Sequence, residues 1–423
     1  MSSIRVLIAA VLLGVTTLSA AAAEKGPTVS SINVCDFGAK GDGQTDDTAA
    51  FQRALEAAAA AGGIVEAGVG NFLIKGHLDL PDHVTLSGVW TAPSAHSEYK
   101  GTTLLAVEGE GSEEGPPFIS LGTNSTLRGI TVFYPNQKPD AIKPYPWCIA
   151  GRGGENPSII DCLLVNPYLG VDFGTRPAGR HYIRNLYGQP LRKGIFVDQC
   201  YDIGRIENVH FWPFWAHGDA NSQAVKFNHE HGEAFIFGRT DWEYVLNTFN
   251  WGYKVGYRFI QTEAGATNGN FLGIGSDANQ TSVIVEASQP YGLLITNGEF
   301  VAFLGEEPVE VRVLATNTGA VQFQNCAFWG PAHHIASVAG KGVVSFNNCH
   351  FQDWREGVPA IQASEGSLSV IGCTFSRPSP QVELGAAVQS AVIMGNQVRG
   401  KLDLRNHSQG SVEIGLNVAA PAG

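Results

Sequence analysis

Paired carboxylates perform general acid–base chemistry or hold cations, and this chain groups them in three places. The first is "DFGAKGDGQTDDT" (36–48), where Asp36, Asp42, Asp46 and Asp47 crowd together. The second is "NHEHGEAF" (228–235) with "GRTDWEY" (238–244), which gathers His229, Glu230, His231, Glu233, Asp241 and Glu243. The third is Asp172 in "GVDFG" (170–174) with Asp198 in "GIFVD" (194–198). Which group is a site depends on the elements that carry it.

A repeat supplies those elements. "VQFQNCAF" (321–328), "VSFNNCHF" (344–351) and "LSVIGCTF" (368–375) each place Cys after Asn or Gly and two residues before Phe. "SIIDCLL" (158–164), "RIENVHF" (205–211), "LLITNGEF" (293–300), "AVIMGNQV" (391–398) and "SVEIGLNV" (411–418) share the shape. A spacing in the low twenties, with one β-type run and one Asn/Gly bend per repeat, predicts a solenoid. Helical periodicity is missing and β-branched and aromatic residues dominate, so the coil is a parallel β-helix. Alternate residues then point inward, placing Val321, Phe323, Cys326 and Phe328 inside. The cysteines read as buried small hydrophobes, because no C-x-x-C pair or ligand-spaced His accompanies them.

Composition agrees. The 423 residues carry 51 Gly and only 16% charged residues, which suits short strands and tight turns. A net charge of −12 argues against nucleic acid or an anionic membrane as partner. Arg5, the apolar run Val6 to Val15 and Ala21-Ala22-Ala23 before Glu24 read as a signal peptide over 1–23. The mature chain, 24–423, is then a secreted or periplasmic single domain without membrane insertion. It divides into an N-terminal loop and cap helix (24–63) and coils (64–423).

The first aspartate group reads as scaffold. "TAAFQRALEAAAAAGG" puts Phe51, Leu55, Ala58 and Ala59 on one helical face, with Asp46 or Asp47 as N-cap and Gly62-Gly63 as terminator. Such a helix covers the open end of a solenoid. The stretch "VCDFGAKGDGQTDDTAAFQRALEAAAAAGGIV" through "NFLIKGHLDLPDHVTLSG" (71–88) resembles the N-terminal signature of the pectate-lyase-like superfamily. More closely it is similar to the rhamnogalacturonase/epimerase-like pectate lyase domain, related to polygalacturonase-type glycoside hydrolases. Where that family commonly has Pro-Gly, this chain reads "EAGVGNF", a departure in a turn. The resemblance implies a right-handed parallel β-helix, capped by an N-terminal helix, that acts on or binds polysaccharide. It also implies that the signature is architectural.

The site is then expected on an outward strand face of the middle coils, where neighbouring side chains are about 4.8 Å apart. With Val171, Phe173, Ile195 and Val197 inward, Asp172 faces out beside Phe196, and Asp198 follows two residues on. The backbones of the two aspartates would be about 8 Å apart, in the range that leaves room for a water in an inverting glycosidase. Reading "AVKFN" (224–228) and "GYRFI" (256–260) as the next strands adds Lys226, Asn228 and Arg258 to the column. That column is similar in kind to polygalacturonase-type clefts, although the Asn-x-Asp, Asp-Asp, Gly-His-Gly and Arg-x-Lys motifs of those enzymes are absent from it. The second group competes: Glu230 and Asp241 as carboxylates, His229 beside them, and Asp202 and Asp241 at equivalent positions on successive coils. His229 and His231 lack an identifiable third ligand, so no metal is assigned. Trp212, Trp215 and Trp242 suit the apolar faces of sugar rings.

The reading is a polysaccharide-degrading enzyme, a glycoside hydrolase using Asp172, Asp198, Glu230 or Asp241. Alternatives are a lyase or epimerase acting on uronate-containing glycan, and a non-catalytic glycan-binding β-helix. No cofactor is expected; only a lyase would call for Ca²⁺.

Overall fold

A computed structural model describes residues 31–60, 62–93, 100–217 and 219–421. The expected signal peptide lies outside the described residues. Among those residues, 38 short strands join one parallel ladder in which each strand hydrogen-bonds to its counterpart one coil on. The chain is a right-handed parallel β-helix. One register runs Ile149, Val171, Ile195, Phe235, Tyr257, Val283, Val311, each fully buried. Aromatic rings stack along the interior, as Phe235 on Tyr257 at 4.8 Å and Phe323 on Phe346 at 5.1 Å. Val321, Phe323, Cys326 and Phe328 are interior as read from the repeat. Among the described residues no helix is long and apolar enough to cross a membrane.

The bend in each repeat is a left-handed residue. Asp161, Asn185, Asn208, Asn247, Asn297, Asn325 and Asn348 all have φ between 51° and 55°. Asn tolerates this conformation better than most residues. Its side chain also ties coils together: Asn208 Nδ2 donates to Asn185 Oδ1 (2.9 Å), and Asn185 Nδ2 to Asp161 Oδ1 (2.9 Å). The residue after each bend turns inward, which is why Cys162, Cys326, Cys349 and Cys373 are buried. Six of the seven cysteines are buried free thiols and Cys35 is exposed.

At the N-terminal end, α1 (Thr48–Ala59) buries Ala50, Phe51, Ala54, Leu55 and Ala58, with Phe51 edge-on to Phe72 at 5.1 Å. The clustered aspartates fold the preceding loop. Asp46 Oδ1 accepts from Thr48 N and Oγ1, and Asp42 Oδ1 from Gln44 N and Thr45 N. Asp47 holds the N-cap position but accepts from Lys40 N and Gly41 N instead of capping the helix.

The strand expected at 224–228 is corrected. Gln223–His231 is a helix, α2, whose N-cap Ser222 accepts from Ala224 N. The coil skips this segment, since Phe196 pairs directly with Ile236. The alternation at 224–228 also fits one turn of helix: Ala224, Val225 and Asn228 (i, i+1, i+4) form a buried face, and Ala224 and Val225 pack with Leu191 and Ala216. The outward column therefore reads Asp172, Phe196, Ile236, Arg258 and Ile284, without Lys226 or Asn228.

Candidate functional site

Asp172 is the penultimate residue of the strand Leu169–Phe173, between inward Val171 and Phe173, so its side chain leaves the coil outward. Its Oδ1 accepts from Gly174 N and Thr175 N, both at 2.8 Å, which fixes the carboxyl group as the chain turns. The group lies in a cleft of about 410 Å³ lined by Ser120, Trp147, Arg152, Thr175 and Arg176. Arg152 Nη2 donates to Leu80 O (3.0 Å) and lies 3.6 Å from Asp82 Oδ1, and Arg176 Nη1 donates to Arg152 O (3.3 Å).

Asp198 follows the strand Lys193–Val197 one coil on. Its Oδ1 accepts from Arg239 N (2.5 Å) and Thr262 Oγ1 (3.0 Å). It lines a second cleft of about 490 Å³ with Gly174, Thr175, Phe196, Tyr201 and Glu263. Thr175 borders both clefts. Between them Phe196 stacks on Trp147, with ring centroids 6.4 Å apart and planes 20° apart. The two clefts with this aromatic shelf form one outward surface, with Asp172 and Asp198 set back in its floor at 5% and 6% exposure. An extended ligand with apolar ring faces fits such a surface, because aromatic rings contact those faces while carboxylates exchange protons.

The other expected residues lie elsewhere. Arg258 belongs to the outward column, but Glu233 (2.6 Å) and Glu286 (2.5 Å) both clamp its guanidinium. Lys226 and Glu230 are exposed on α2, and Glu230 has His231 nearby at 3.7 Å. Asn228 is buried and pins α2 to the coil, donating to Pro190 O and Leu191 O and accepting from Gln189. His229 points its buried Nε2 at no partner and lies 5.9 Å from Trp251, and burial lowers its pKa. Asp241 pairs with Arg239 (2.8 Å) and accepts from Asn268 and Gln289. Asp202 does not pair with it; the isolated bridge Cys200–Thr240 shifts the register by one, and Asp202 binds Arg180 instead. Trp212 is half-buried against His210 (4.3 Å) and Phe214, and Trp215 packs on the α2 side. Trp242 is 60% exposed at φ 60° and borders neither cleft.

Sequence reading missed Trp147, Arg152 and Arg176. "WCIAGRGG" (147–154) departs from the repeat, so nothing in it announced that Ala150 registers with Asp172.

Residues 31–132 match the family described as rhamnogalacturonase A/epimerase, pectate lyase-like, which is the resemblance read from "VCDFGAKGDGQTDDT". No curated protein sequence matches the chain significantly. Among solved structures, the A-module of the Azotobacter vinelandii mannuronan C-5 epimerase AlgE6 is 18% identical, with 92% of this chain and 100% of that chain covered, TM-score 0.50. Gene product 12 of bacteriophage phi29, in its pre-mature form, is 16% identical over 92% of this chain and 57% of its own, TM-score 0.56. At these identities the likeness is one of fold.

Proposed function

We propose that this pectate-lyase-like β-helix protein is an enzyme acting on polysaccharide, bound across the outward surface that carries Asp172 and Asp198. The observation that carries the reading is the pair of adjoining clefts, each with an aspartate, joined by the Trp147–Phe196 shelf. The chemistry this suits is glycoside hydrolysis. One carboxylic acid protonates the leaving glycosidic oxygen, and the other carboxylate takes a proton from the water that attacks the anomeric carbon. The one-coil, two-residue offset of the two backbones is about 8 Å, which supports a reading in which a water fits between the carboxyl groups. The N-terminal leader read from the sequence would send the protein to a secreted or periplasmic location, where such polymers are met.

One observation favours a second reading. Arg152 and Arg176 flank Asp172, and paired guanidinium groups neutralise a uronate carboxylate, as a lyase or epimerase requires. The test is to incubate the protein with neutral and uronate-containing polysaccharides and analyse products by mass spectrometry and NMR. Products heavier by one water, abolished in Asp172→Asn and Asp198→Asn, support hydrolysis. Unsaturated products lighter by one water, or polymer of unchanged mass with inverted uronate centres, replace it with the second reading. Binding with no product from a broad panel sinks both in favour of a glycan-binding module.

A further inference from the structure

Inside the coil, beneath the outward clefts, lies a polar cluster in a largely apolar interior. His181, Cys200 and Glu243 are all fully buried, and their donor atoms lie within 4.8 Å of one another. The backbone explains why they meet. Arg205 N bonds to His181 O and Tyr244 N to Gly204 O, so His181, Gly204 and Glu243 occupy one column on three successive coils. Gly204 leaves the middle place empty. A Cβ there would lie 2.2 Å from His181 Cε1 and 2.4 Å from Glu243 Oε2, so the two outer side chains meet over it. Cys200 enters from the corner of the middle coil, its thiol donating to Asp202 O at 3.4 Å.

The hydrogen bonds orient the ring and leave one carboxyl oxygen without a partner. His181 Nδ1 lies 2.9 Å from Ala178 O, a bond in which Nδ1–H must be the donor. Its Nε2 lies 2.9 Å from Glu243 Oε1, a contact that either an imidazolium proton or a bound cation bridges. Glu243 Oε2 is buried with no hydrogen-bond partner at all. A ring nitrogen oriented by a backbone carbonyl, a thiol and an unpartnered carboxylate oxygen are a ligand set with its supporting hydrogen bond in place. In a tetrahedral zinc site neighbouring ligand atoms are about 3.2–3.8 Å apart, so small rotations would admit an ion. Nitrogen, sulfur and oxygen together suit a borderline-soft divalent ion better than Ca²⁺ or Mg²⁺.

We infer that His181, Cys200 and Glu243 bind one Zn²⁺ inside the β-helix, clamping three successive coils beneath the outward clefts. Because the cluster is closed to solvent, the ion enters as the coil forms. The inference stands whatever reaction the clefts perform.

The test uses the full chain in a Cys35→Ser background, which removes the exposed thiol. Protein folded with zinc present should retain about one equivalent after dialysis against chelator, and Cys200→Ser and Glu243→Gln should each reduce that at least about tenfold. Refolding with Co²⁺ should give thiolate-to-cobalt charge-transfer absorption and visible bands more intense than those of six-coordinate cobalt. This optical test decides the matter even if the variants fail to fold. Less than about a tenth of an equivalent in folded protein, retention of zinc by Cys200→Ser, or cobalt binding without the charge-transfer band would overturn the site in favour of a buried His–Glu ion pair.

Discussion

Asp172 and Phe196 are register partners on adjacent coils, and the Phe196 ring stacks with Trp147 from the coil that precedes Asp172. The carboxylate thus has an aromatic wall supplied by the next turn of the same sheet. Gly174 fits beneath that ring: a Cβ at 174 would lie 2.4 Å from Phe196 Cε1. Phe196→Ala should therefore raise KM on the polysaccharide substrate about 2- to 10-fold, the loss of one aromatic contact, with kcat little changed. Gly174→Ala should act in the same direction by displacing the ring. Steady-state kinetics on both variants checks this; an unchanged KM would remove the shelf from the binding surface.

The Asn ladder predicts a graded loss of stability. Asn208→Ala loses the bond to Asn185 and forces a Cβ-bearing residue without a polar side chain into φ 51°, costing about 1–3 kcal/mol. Asn208→Gly loses the same bond but accepts the backbone, so its thermal midpoint should fall between those of Asn208→Ala and the parent. Equal midpoints for the two variants would show that the backbone conformation matters little.

Glu310 sits fully buried with neither carboxyl oxygen partnered, and burial, with Asp353 adding to it, holds its pKa well above the ordinary 4.5. A raised pKa means that the fold binds the proton more tightly than the unfolded chain. The stability that Glu310 contributes is therefore greatest below about pH 4.5 and declines as pH rises toward its folded value. Glu310→Gln should remove this decline and gain about 1–3 kcal/mol at pH 8, with the advantage vanishing near pH 4.5. Denaturation curves at pH 4.5, 6 and 8 test it.

Thiol chemistry should discriminate sharply among the cysteines. Burial pushes the Cys148 and Cys162 thiols up to about 12, and the three Cys of the C-terminal ladder are enclosed. Alkylation of native protein, read by mass spectrometry, should modify Cys35 alone; the other six should react only in denaturant. Rapid native labelling of Cys326 would contradict the closed interior.

The coil was legible in the amino-acid order alone. Its signals are local and repeated: alternation in "VQFQNCAF" buries Val321 and Phe323, and each Asn or Gly bend needs a left-handed residue that few side chains tolerate. The same period put Asp172 beside Phe196, because one coil is one repeat. The residues 224–228 escaped this logic. A two-residue alternation and a helical i, i+1, i+4 face cannot be told apart over five residues, and only packing on Leu191 and Ala216 selected α2. Tertiary structure also decided which charges were available. Arg258 is clamped by Glu233 and Glu286, and Asp241 is held by Asn268 and Gln289, through contacts between coils that no spacing announces. His181 and Glu243 meet only because the coils lift them into one column over Gly204, sixty-two residues apart in sequence. Periodicity fixes the direction in which a side chain leaves a strand; what it meets depends on the neighbouring coils and on the insertions that cover them.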